Sequence, residues 1–87
     1  MQVINSGLKM IETKRICISS PPDRSHLVAE IFLDQLQWVE INYEHDIFEI
    51  EFYSRPDNQP WCIDFTLAID LLIEAKFELM KKAGISE

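Results

Sequence analysis

Residues 38–53 read WVEINYEHDIFEIEFY, and this stretch decides the fold. In its first part Val39, Ile41 and Tyr43 alternate with Trp38, Glu40 and Asn42. In its second part Phe48, Ile50 and Phe52 alternate with Glu49, Glu51 and Tyr53. Successive side chains of a strand point to opposite faces, so this period of two predicts strands over 38–43 and 47–53. The link Glu44-His45-Asp46 is short, which makes the two strands antiparallel neighbours. A clean alternation implies one covered face, carrying Val39, Ile41, Tyr43, Phe48, Ile50 and Phe52, and one wet face, carrying the rest.

The same pattern extends towards the N-terminus. Over 26–34, Leu27, Ala29, Ile31 and Leu33 alternate with Val28, Glu30, Phe32 and Asp34, and a turn at Asp34-Gln35-Leu36-Gln37 leads into the next strand. Ser19-Ser20-Pro21-Pro22-Asp23 interrupts any ladder, because proline has no N–H to donate. Before it, residues 8–19 set Ile16 and Ile18 against Arg15, Cys17 and Ser19 and predict a first strand, with 1–7 as a loose start.

After Tyr53 the period changes. Residues 54–63 are a loop, with Pro56 and Asn58 suited to a turn. Asp64 is a good helix N-cap and Gly84 a good terminator, with Lys81 and Lys82 placed to complement the dipole of the last turn. At 100° per residue, Phe65, Ala68, Ile69, Leu72, Ala75, Leu79, Met80 and Ala83 share one arc, with Leu72 at its middle, opposite Thr66, Asp70, Glu74, Glu78 and Lys81. Leu71, Ile73 and Phe77 lie at the margins of the arc. The expected fold is α+β: one domain over 1–87, a four-stranded antiparallel β-meander over 8–53, and one long helix over 64–83 packed on the sheet's inner face.

Composition agrees with a folded domain. Eighty-seven residues allow one core, and 47% apolar residues with nine aromatics exclude disorder. No stretch nears the ~18 apolar residues of a membrane span. The first residues lack the basic start and apolar run of a secretory signal, which gives the expectation of a cytoplasmic chain. Cys17 and Cys62 have neither CxxC spacing nor nearby histidines and read as free thiols.

Chemistry-bearing motifs are absent from the sequence. His26 and His45 stand alone, and only Gly7 and Gly84 are glycine, so there is no phosphate-binding loop. No lysine stands near Glu49 or Glu51 to complete a nuclease-type constellation, and no carboxylate loop has metal-binding spacing. The expectation is a protein that is no enzyme, with no catalytic, metal-binding or cofactor-binding residues.

The charge distribution is more informative. The net charge is −7, which argues against nucleic acid and anionic membranes as partners. Residues 25–54 hold seven acids and neither lysine nor arginine. With the strands paired through Glu44-His45, Glu40 falls opposite Glu49 and Trp38 opposite Glu51, and the preceding hairpin brings Glu30 beside Glu40. Like charges directly opposite destabilise a sheet, so the row suggests a site for a basic protein partner, with Glu30, Glu40, Glu49 and Glu51 steering and Phe32, Trp38 and Tyr53 anchoring. The competing reading is a solvated face that only keeps the sheet soluble. A further alternative is a homodimeric structural or adaptor module, joined at a sheet edge or through Ile73 and Phe77. In the loop, Trp61 is expected to seal the end of the core, with Arg55 paired to Asp57 or Asp64.

Glu30-Ile31, Trp38 with Glu40-Ile41, Glu51-Phe52-Tyr53, Arg55-Pro56-Asp57, Gln59-Pro60-Trp61, Asp64-Phe65 and Ala75-Lys76 form a pattern over residues 26–82. It resembles small bacterial immunity proteins of polymorphic toxin systems. The pattern departs from that family at Asn58, where glycine is expected, and at the glycine-free turn Asp34-Gln35-Leu36, and residues 1–25 do not take part. The resemblance implies a cytoplasmic antitoxin that binds and blocks a cognate toxin.

Overall fold

The computed structural model describes residues 11–86, so the loose start expected for 1–7 and the first residues of the strand expected from Leu8 lie outside the described residues. Four strands form one antiparallel sheet in chain order: β1 (Lys14–Ser19), β2 (Val28–Leu33), β3 (Leu36–Asn42) and β4 (Glu49–Phe52). One helix, α1 (Phe65–Ala83), follows. The β-meander with a single C-terminal helix is the expected α+β architecture.

Local chemistry sets the joints. The β2–β3 hairpin turns on two residues, Asp34 (φ 49°) and Gln35 (φ 70°), the pair of left-handed conformations that matches strand twist. No glycine is needed because Asp34 is anchored: its Oδ1 accepts from the N–H groups of Glu12 and Thr13, both at 2.9 Å. Strand β3 therefore begins at Leu36, two residues earlier than the alternation suggests. Helix α1 starts at Asp64, whose side chain accepts from the Leu67 N–H at 2.9 Å, and ends at Gly84 with φ 70°.

Two features depart from ideal alternation. The β2–β3 register shifts between Ile31, opposite Val39, and Phe32, opposite Gln37. Trp38 is the extra residue of this bulge. The β3–β4 connection is also longer than expected: Asn42 pairs with Glu49, so 43–48 form a six-residue link rather than a three-residue turn. Glu40 consequently faces Glu51, not Glu49, and Trp38 accepts a hydrogen bond from the N–H of Tyr53.

The core lies between α1 and strands β1 to β3. Ala29, Ile31, Leu33, Val39 and Ile41 supply the sheet side, and Leu71, Ala75 and Leu79 the helix side. The helix is rolled by about one residue from the expected arc: Leu71 is buried, Leu72 only half-buried, and Phe65 largely exposed. Helix α1 packs on β1, β2 and β3, and no Cα atom of α1 comes within 8 Å of one in β4. A helix is ~10 Å across and strands lie ~4.8 Å apart, so one helix cannot roof four strands. Ile50 and Phe52, expected inward, are therefore exposed on the uncovered part of the inner face.

The 53–61 corner is fixed by charge and ring stacking. Arg55 grips Asp57 with two hydrogen bonds (3.0 and 2.8 Å), resolving the choice between Asp57 and Asp64. Its guanidinium also lies over the Trp61 ring at 5.2 Å, and the Trp61 indole N–H donates to the Tyr53 carbonyl. Trp61 packs against the core as expected. The Arg55 hydrogen bonds, together with the N–H of Gln59, hold the Asp57 carboxyl at a pKa of about 2. Folding thus favours the carboxylate over its ordinary state, with a pKa of 3.8. This stabilisation is complete above pH about 4 and is lost as pH falls towards 2. Asp57→Asn is expected to lower the melting temperature at pH 7, and the difference from the native chain should shrink in melts taken down to pH 2.

Candidate functional site

Pairing across the sheet aligns Cys17, Glu30, Glu40 and Glu51 in one row on the face away from α1. Three adjacent carboxylates on adjoining strands repel one another, and a cation offsets this at two of them, Glu40 and Glu51. The connection over 20–27 folds back across this face. The Arg24 guanidinium lies 2.9 Å from Glu40 Oε2 and 3.1 Å from Glu51 Oε1. Further along, the Ser25 N–H donates to Glu44 at 2.8 Å and the His26 ring meets Glu44 at 3.1 Å. The Ser25 hydrogen bond, and after it His26, lower the Glu44 pKa. Partial burial opposes the charge of Arg24, yet Glu40 and Glu51 outweigh it and raise the Arg24 pKa.

This connection changes the status of the expected site. Trp38 (5% exposed), Glu40 (3%) and Asn42 (4%) are buried and do not lie on a wet face. Asn42 donates to Glu40 at 3.2 Å, so Glu40 is held from two sides. Glu30, Phe32 and Tyr53 are half-buried, and the Arg15 guanidinium lies over the Phe32 ring at 4.6 Å. The Tyr53 hydroxyl donates to Glu51 at 3.2 Å, and its burial, then the Glu40 and Glu51 charges, push its pKa up to about 12. Of the seven expected residues only Glu51 is exposed, and Glu49 is half-buried with 40% of its side-chain surface open, both on β4. Arg24 was not among the expected residues. Its signal was position: it is the first cation before the acid-only stretch, just after the Pro21-Pro22 break that reverses the chain.

The structure instead exposes a surface around β4, which is an edge strand. On its inner face stand Ile50 (43% exposed) and Phe52 (65%). Ile69 (40%) and Ile73 (49%) lie along one flank of α1, and Phe77 (59%) stands on its solvent side, nearer Glu74. Lys76, one helical step past Ile73, reaches the Phe48 ring at 4.9 Å, which places that flank on the β4 side. On the other face of β4 stand Glu49, 2.7 Å from the His45 ring, and Glu51. Apolar side chains on one face and carboxylates on the other thus border one open strand. Such clustered exposed apolar residues mark interaction surfaces in small domains.

Among the described residues no group of three or more His, Cys, Asp or Glu is arranged to hold a metal ion. A cavity of about 460 Å³ opens beside the 53–61 corner, lined by Arg55, Asp57, Trp61 and the exposed Cys62. Of its charged groups, Arg55 and Asp57 are engaged with each other, and Asp34 accepts from the N–H groups of Glu12 and Thr13. No helix of the described chain is long and apolar enough to cross a membrane. No protein-family model, curated protein or solved structure matches the chain.

Proposed function

We propose that this chain is a non-catalytic protein-binding domain of immunity type, a cytoplasmic inhibitor that occludes a basic surface of a cognate bacterial toxin. The observation that carries the reading is the uncovered edge strand β4, with Ile50 and Phe52 on one face and Glu49 and Glu51 on the other. Exposed aromatic and aliphatic anchors supply affinity when a partner buries them, and flanking carboxylates steer a basic partner and fix its orientation. The sequence resemblance to immunity proteins points the same way, since Glu51-Phe52-Tyr53 is among the residues that carry it. The binding set is accordingly centred on Glu49, Ile50, Glu51 and Phe52. Glu30, Phe32 and Tyr53 lie at its periphery, and Trp38 and Glu40 have structural roles.

Co-expression with the product of a neighbouring toxin gene tests this reading. The native chain should restore growth, and Phe52→Asp, at a position 65% exposed, should lose protection while keeping its melting temperature. Association should also slow as salt rises, because the screening length falls from ~10 Å at 0.1 M to ~3 Å at 1 M. Failure of the native chain to protect against, or bind, any such product would remove the inhibitor reading. The exposed margin at Ile73 and Phe77 favours the alternative of a homodimeric adaptor, and sedimentation separates the two, since that alternative requires a stable dimer of the 10.2 kDa chain.

A further inference from the structure

We infer that β4 takes up its partner as an added strand, and that the partner is an extended segment alternating apolar with basic residues. The inference rests on the reading of β4 as a protein-binding edge and adds to it the chemistry of the occupant. The Tyr53 N–H points at β3, where it donates to Trp38. Backbone groups alternate along a strand, so those of Glu51 and Glu49 also turn towards β3, and those of Ile50 and Phe52 point out of the open edge. A fifth strand is the natural partner for such a row of unpaired donors and acceptors. Its side chains on the α1 side would meet Ile50 and Phe52, an apolar environment. Those on the other side would meet Glu49 and Glu51.

Charge selects the occupant. A second copy of β4 is the first competitor. Antiparallel pairing that keeps apolar residues on the helix side requires Ile50 opposite Ile50 or opposite Phe52 of the copy for an overlap of three residues. The first register sets Glu49 against Glu51 twice, and the second sets Glu51 against Glu51. Either self-pairing is therefore opposed by like charges. The other free edge, β1, presents only Arg15, beside Cys17 and Ser19, on the matching face. A foreign strand with Lys or Arg at two alternate positions adds a cation to Glu49, beside His45, and to Glu51, beside Arg24, and meets the apolar face together.

The test uses the whole chain and three synthetic ten-residue peptides: one alternating valine with lysine, one alternating valine with glutamate, and one with the lysine peptide's composition rearranged to a helical period. Binding of the lysine-alternating peptide alone is expected, with slowed hydrogen exchange at the Ile50 and Phe52 amides and weakening as salt is raised. Ile50→Pro removes an outward N–H that β3 does not use and should abolish binding. Glu49→Lys, at a half-buried position whose side chain is 40% exposed, should weaken the lysine peptide about tenfold and keeps the test valid should the proline disturb the strand. Equal binding of the lysine and glutamate peptides, binding by the helical-period peptide, protection at β1 instead of β4, or a stable dimer of the chain alone would overturn the inference. Toxin protection by native chain and Ile50→Pro alike would also overturn strand addition while leaving the inhibitor reading in place.

Discussion

Glu40→Lys is expected to destabilise the fold by about 3–5 kcal/mol, a large share of the ~5–15 kcal/mol that holds a small domain together. Glu40 is 3% exposed and sits between Arg24, at 2.9 Å, and the Asn42 amide, at 3.2 Å. A lysine there places an ammonium against the guanidinium that Glu40 now pairs with, and neither charge reaches water freely. Glu49→Lys reverses a charge on the same sheet face, but its side chain is 40% exposed and its neighbour is a histidine, so it should change stability by no more than about 0.5 kcal/mol. Urea unfolding followed by circular dichroism measures both. Similar stabilities for the two variants would mean that Glu40 is solvated and that the 20–27 connection does not cover the sheet.

Leu79→Ala should cost about 2–5 kcal/mol, as truncation of a fully buried leucine does. Leu79 is completely buried on the core side of α1, with Ala75 and Leu71 one and two turns earlier. The half-buried Leu72, at the middle of the apolar arc read from the sequence, should cost less when truncated. The comparison of Leu79→Ala with Leu72→Ala in the same urea series reports the roll of the helix directly. A larger loss for Leu72→Ala would put the helix back on the face that its periodicity suggests.

The two variants mark where sequence reading succeeds and where it stops. Periodicity located all four strands, the helix, Asp64 as cap and Gly84 as terminator, because those are local signals of spacing and backbone conformation. It also placed Glu30 beside Glu40, since that hairpin is short. Glu40 was aligned with Glu49 rather than Glu51 because alternation does not fix the length of a hairpin link; here the link includes Tyr43 and Phe48, whose ring centroids lie 4.7 Å apart with the planes tilted by 57°. The burial of Trp38 and Glu40 was hidden for a different reason. Alternation tells which residues share a face, but not what a distant loop lays over that face, and Arg24 acts one and two strands away from its own hairpin. Exposure of Ile50 and Phe52 was in principle legible from dimensions, since one helix cannot cover four strands. Which edge stays open depends on where the 53–61 corner sends the chain.

The consequence for function is a change of surface. The acid row on the outer face is explained by Arg24, leaving β4 as the edge where apolar and acidic groups meet solvent together. Site-specific photo-crosslinking decides between the two faces. Benzoylphenylalanine placed at Phe52, on the open inner face, and separately at Phe32, on the outer face, would be irradiated with the lysine-alternating peptide present. A crosslinked adduct from position 52 and none from position 32 is the predicted outcome, and an adduct from position 32 with none from position 52 would contradict the assignment of β4 as the binding edge.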